Sequence, residues 1–74
     1  MSAANTDLKE AITRAIYAEI GAMNFYARMA EAIENPEGRG RFEQLSVDEK
    51  GHRDTLASWF SRLFDSEFVE DAEE

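Results

Sequence analysis

The chain has 74 residues and no cysteine, so it is one domain at most, with no disulfides, thiolate metal sites or cysteine redox chemistry. Sixteen acidic residues against eight basic ones give a formal net charge of −8, which argues against nucleic acid as a partner, because phosphate neutralisation needs clustered Lys and Arg. No apolar run approaches the roughly 20 residues that span a bilayer, and the start "MSAANTD" lacks the basic and apolar regions of a signal peptide, so a soluble cytoplasmic protein with no membrane partner is expected.

Residues from about Thr6 to Glu34 contain no proline and one glycine, and are rich in Ala, Glu, Ile and Met, which predicts a first helix over about 6–34. Asn5 or Thr6 can cap it, and Asp7 adds negative charge to the first turn. "ENPEGRG" then breaks the pattern: Asn35 before Pro36 reads as an N-cap followed by proline at the first helical position. A second helix is expected over about 37–64, with Asp65 or Ser66 ending it or capping a short third helix. The remainder, 65–74, is an acidic tail, read as a short helix or a frayed end. There is no internal repeat, and no alternation that would suggest strands. Two long helices joined by a very short turn make an all-α, antiparallel two-helix hairpin, a single domain over 1–74.

Each helix has an apolar stripe with steps of three and four. On the first it runs through Ile12, Ile16, Met23, Ala30 and Ile33, and the same steps include Glu19 and Tyr26. On the second it runs through Phe42, Leu45, Leu56, Trp59 and Leu63, and the gap falls on Glu49 and His52. Residues equidistant from the turn lie side by side in an antiparallel hairpin. Glu19 is then level with His52, and Glu49 lies one turn nearer the loop on the same side as His52. Three polar seam residues therefore converge midway along a seam expected to be buried.

Burying an unpaired carboxylate costs several kcal/mol, and a hairpin of this size has little stability to spare. Protonated His52 can pair with one glutamate, leaving the other uncompensated; a divalent metal can take all three, since oxygen and imidazole ligands suit first-row metals. One hairpin supplies two carboxylates and one imidazole, and two related by a two-fold axis supply four and two. That doubled set is the ligand set of ferritin-like di-iron bundles: a Glu from each of two helices and a Glu-x-x-His from each of the others. Here Glu19 is the single Glu, and "EKGH", Glu49 to His52, is the Glu-x-x-His. A second hairpin would also cover the open face of the first.

The stretch "EIGAMNFYARMAEAIENPEGRGRFEQLSVDEKGH" resembles the ferritin-like superfamily, in which rubrerythrins share a Glu, a Tyr seven residues later and a downstream Glu-x-x-His. It is most similar to the encapsulated ferritins, half-ferritins of two main helices, at Glu19, Phe25-Tyr26, Pro36-Glu37, Asp48-Glu49, His52 and Trp59, over roughly residues 8–63. The resemblance implies a ferroxidase that oxidises Fe(II) with oxygen at a di-iron centre between two chains. It implies Glu19, Glu49 and His52 as catalytic iron ligands, Glu49 bridging, and the Tyr26 hydroxyl on a ligand carboxylate of the partner chain. It further implies homodimers assembled into a ring, typically a decamer, working in iron storage or detoxification inside an encapsulin nanocompartment.

The sequence departs from that family at two places. Ala18 and Gly21 stand where its members often carry metal-uptake acids beside the first ligand, and the end "EFVEDAEE" shows no apolar shell-targeting motif. Three other readings compete: a rubrerythrin-type peroxide-reducing di-iron protein, a redox-inert zinc or manganese site, and a non-catalytic helical oligomerisation module in which the seam glutamates and His52 specify register. Taken singly, Glu19 reads as a snorkelling edge residue, His52 as a core histidine and Tyr26 as packing. Met23 and Met29 read as filler, and Glu31, Glu34, Glu43 and Asp48 as a solvated face.

Overall fold

The structure, a computed structural model, describes residues 2–70, with side chains described from residue 7 onward. It is a helical hairpin of α1 (Ser2–Ala32) and α2 (Pro36–Phe64), and no strand occurs among the described residues. The rod measures 52 × 24 × 17 Å. α1 begins ahead of Thr6; the cap expected at Asn5 or Thr6 concerns side chains outside the described set.

The turn is built by side chains that satisfy helix ends. Asn35 caps α2, its Oδ1 accepting from Gly38 N at 2.8 Å, with Pro36 at the first position and Glu37 in the first turn. Arg39 turns back and donates from Nε and Nη2 to Ile33 O at 3.3 and 3.2 Å, occupying a carbonyl left over where α1 ends. Gly38 suits this corner because a Cβ there would lie 3.2 Å from Ile33 Cγ2.

The core is narrow: Ile12, Ile16, Ile20 and Phe60 are buried, with Leu56, Ala57, Phe64 and Phe68 packed against them. It corrects the expected seam on α2. Leu45, Trp59 and Leu63 are exposed, and the buried position is Phe60, next to Trp59. The stripe through residues 45, 52, 59 and 63 lies to one side of the line where the helices meet, so a single hairpin leaves it open. Phe42 and Leu56 stay half-buried, nearer that line.

No third helix follows α2 among the described residues. Asp65 ends α2 in the left-handed region at φ 50°, a conformation short polar side chains tolerate. The chain then doubles back, and Phe68 packs edge-on against Phe60 at 5.5 Å and Tyr17 at 5.7 Å between ring centroids. Residues 71–74 of the acidic tail lie outside the described residues.

Two substitutions separate core from cap. Ile16 is fully enclosed (0% exposed), so Ile16→Ala is expected to cost about 2–5 kcal/mol. Asn35→Ala is expected to cost about 1 kcal/mol. Urea-denaturation midpoints of the two variants at equal protein concentration check the ordering.

Candidate metal centre

Glu19, Glu49 and His52 come together midway along the rod, each offering one ligand atom, with all three atoms within 4.8 Å of one another. His52 Nδ1 lies 3.3 Å from Glu49 Oε1 and 3.7 Å from Glu19 Oε1. Glu49 and His52, three apart on α2, share a helix face, while Glu19 approaches from α1 across the interhelical line. Among the described residues this is the only group of three or more His, Asp and Glu with such convergence.

These residues are not buried, which corrects the sequence expectation. The side chains of Glu19 and Glu49 are 27% and 20% exposed, and that of His52 is 64% exposed. The two carboxylates sit at the edge of the seam, and the imidazole stands outside them. No polar or charged residue among those described is fully buried. The hairpin therefore avoids the full desolvation cost of an interior charge.

The electrostatics of the cluster are set by two like charges. The Glu19 carboxyl is held above the usual carboxylate range, chiefly because it shares a proton in a hydrogen bond with Glu49. Partial burial and the negative charge of Glu49 push the same way, and His52 opposes them. A divalent cation seated between the carboxylates would take the place of that proton. Two carboxylates and an imidazole nitrogen, with no thiolate in the chain, are a donor set for a first-row metal of the iron, manganese or zinc kind. The residues fit a metal, with two carboxylates and one imidazole offered by a single hairpin.

Tyr26 is not brought to this cluster within the chain. Its ring packs edge-on against Phe25 at 5.6 Å and tilted against Phe42 at 6.0 Å between centroids, toward the turn on the same open face. Asp48 is held by Gln44 Nε2 at 2.9 Å on the exposed side of α2. Around the cluster, the exposed Leu45, Trp59 and Leu63 continue the stripe of His52, and Leu8 lies three turns along the stripe of Glu19. Sequence spacing indicated Leu45, Trp59 and Leu63 as apolar, but only packing shows that they stand open beside the ligands.

Fold and site together define a two-helix ferritin-like protein with a carboxylate–histidine group that could hold a metal. Residues 3–74 match the rubrerythrin family, and the chain belongs to that family, whose members typically bind iron. No curated protein and no solved structure matches the chain.

The raised Glu19 carboxyl has a pH signature. Glu19 binds its proton more tightly in the folded, metal-free chain than in the unfolded chain, where its value is near 4.5. The folded state therefore carries the excess proton in the window above 4.5, and its stability falls as pH rises through the raised value. Denaturation midpoints measured against pH are expected to show this decline in the wild type and to lose it in Glu19→Gln. Saturating Co(II) is expected to reverse the slope, because metal binding requires the deprotonated ligands.

Proposed function

We propose that the protein is a ferroxidase, binding Fe(II) as substrate at a di-iron centre formed when two hairpins meet through the face that carries Glu19, Glu49 and His52. The observation that carries this reading is the half-site: two carboxylates from different helices and an imidazole with ligand atoms within 4.8 Å of one another, the imidazole 64% exposed on an apolar face. A two-fold pairing doubles the donors to four carboxylates and two imidazoles, the set used by ferritin-like di-iron bundles. It also covers Leu8, Leu45, Trp59 and Leu63.

In this reading Glu19, Glu49 and the Nδ1 of His52 hold iron, with Glu49, the carboxylate closest to His52, as the bridge. Two Fe(II) are oxidised to Fe(III) by oxygen, and the protein supplies ligands, spacing and charge. Tyr26 lies two turns from Glu19 on the open face, and its hydroxyl serves the partner chain's ligand carboxylate. Pairs assemble further into a ring, with a decamer expected, and the protein acts in iron storage or detoxification. It works in the cytoplasm, as cargo of an encapsulin shell. No described helix is long and apolar enough to cross a membrane. The shell assignment rests on the sequence resemblance alone, and Ala18 and Gly21 remove the uptake acids of that family.

The matched family supports a second reading, in which the same centre reduces peroxide. With no cysteine in the chain, its electrons would come from a separate donor. Mixing the anaerobic Fe(II)-loaded protein with oxygen or with peroxide in a stopped-flow instrument decides between the two by which oxidant reacts faster.

Native mass spectrometry before and after anaerobic Fe(II) addition tests the core of the proposal. Two irons per pair of chains are expected, with Glu49→Ala and His52→Ala losing them. An unchanged mass in wild type would overturn the iron reading and favour the oligomerisation module. Tyr26→Phe is expected to weaken metal binding by about 10–100-fold while leaving the donor set intact, measured by competition with a metallochromic chelator. Trp59, the single tryptophan, is expected to shift its emission to the blue when redox-silent Zn(II) closes the pair.

A further inference from the structure

Along α2, Phe42, Ser46, Glu49, Arg53, Leu56 and Phe60 follow one another at steps of three and four, and all are buried or half-buried. The middle of that line is polar. Packing against the apolar core begins only at Leu56, and Arg53 turns aside to Asp54, its Nη2 donating to Asp54 Oδ1 at 2.8 Å. Apolar contacts are non-directional and leave one helix free to slide along another, while two carboxylates at one level repel each other. A fixed separation between Glu19 and Glu49 therefore needs a directional contact close by.

Ser46 supplies one. Its Oγ donates to the backbone carbonyl of Met23 at 3.0 Å, across the interhelical line. A helical serine or threonine can return its hydroxyl to the carbonyl four residues back on its own helix. Thr55 does so, its Oγ1 donating to Gly51 O at 3.1 Å; Ser46 reaches across instead. A carbonyl oxygen has two lone pairs, so this bond adds to the helical ladder of α1 without displacing it. Because the serine side chain is short, the bond also holds the two backbones close.

The bond lies one turn from the ligands. Glu19 is four residues before Met23, and Glu49 three after Ser46. In an antiparallel pair both steps run away from the hairpin turn, by about 6 and 4.5 Å. Ile12, Ile16 and Phe60 of the core lie beyond the carboxylates in the same direction. The turns that carry the ligands are thus held between a hydrogen bond on one side and a packed core on the other.

We infer that Ser46 is a positioning residue for the metal group: by pinning α2 to the α1 backbone at Met23, it sets the register and spacing at which Glu19 meets Glu49 and His52. This inference rests on the reading of those three residues as metal ligands.

The test measures Zn(II) affinity by chelator competition at one chain concentration, and the visible d–d bands of the Co(II)-loaded chain, with helicity followed by circular dichroism. Ser46→Ala removes the hydroxyl and introduces a stronger helix former. It is expected to weaken Zn(II) binding about 10-fold, the scale at which hydrogen bonds behind the ligands act on metal affinity, and to shift the Co(II) bands; Ser46→Thr is expected to restore both. Thr55→Ala, which deletes a hydroxyl bonded within α2, is expected to change neither. A helical Ser46→Ala chain with wild-type affinity overturns the positioning role. Weaker binding with unshifted Co(II) bands overturns it too, because stability would then have changed without ligand geometry. If Ser46→Ala loses its helices, Ser46→Val is set against Ser46→Thr, which matches it in shape and differs by the hydroxyl: weaker binding in Ser46→Val supports the role, and equal binding overturns it. A wild-type chain that binds no Zn(II), or that binds it as well after Glu49→Ala, refutes the metal group itself, and the positioning role with it.

Discussion

Two glutamates, one from each helix, meet at a point where water is only partly excluded. Their mutual repulsion is the constraint to which the rest of this hairpin answers. Without a cation, the hydrogen bond to Glu49, partial burial and the charge of Glu49 hold the Glu19 carboxyl above its usual range. The repulsion is tolerable because neither side chain is fully buried. Moving the pair one helical position inward, to the line of Ile16 and Phe60, would remove water and add a desolvation cost that a two-helix chain has little stability to offset. The ligands are therefore confined to an edge of the seam, and that position leaves them accessible to a metal and to a second chain.

The same constraint divides the apolar residues. A hairpin of two amphipathic helices buries only what lies on the contact line: Ile12, Ile16 and Ile20 against Phe60. Apolar side chains one step off that line fall to one face or the other. Leu45, Trp59 and Leu63 stand exposed on the side of the carboxylates, Val47 is exposed on the far side, and Phe64 is partly covered where Phe68 packs on the core.

Much of this was legible in the residues. Proline and asparagine at the turn, with uninterrupted helix formers on either side, locate the hairpin, and equal distance from the turn places Glu19 against His52. Legibility ended where two neighbouring residues were both apolar. "SWFSRLF" offers Trp59 with Leu63, or Phe60 with Phe64, as equally good helical stripes. Steps of three and four cannot choose between stripes one residue apart, and the choice falls to packing against Ile16 and Ile20. The same ambiguity led to the expectation of a buried imidazole, since His52 continues the Trp59 stripe; Glu49, eleven residues before Phe60, lies nearer the contact line and is less exposed than His52. Phe68 was hidden for a different reason. It sits in an acidic, non-periodic tail, and only the reversal at Asp65 brings it back to the core.

The placement of the ligands at an edge also bears on how metal and assembly would be coupled. A fully buried half-site would have to be dry before the partner arrived, and the carboxylates would protonate instead of waiting for metal. A fully exposed one would gain little from being enclosed. At 20–27% exposure for the carboxylates, a partner hairpin would remove the remaining water and strengthen every cation–carboxylate interaction inside. Metal held by both chains would stabilise the paired state by mass action. Under the proposed pairing, the edge position would make cation binding and pairing one linked equilibrium, and a short chain with two carboxylates and one imidazole would need neither a larger core nor a permanent interface to hold the site together.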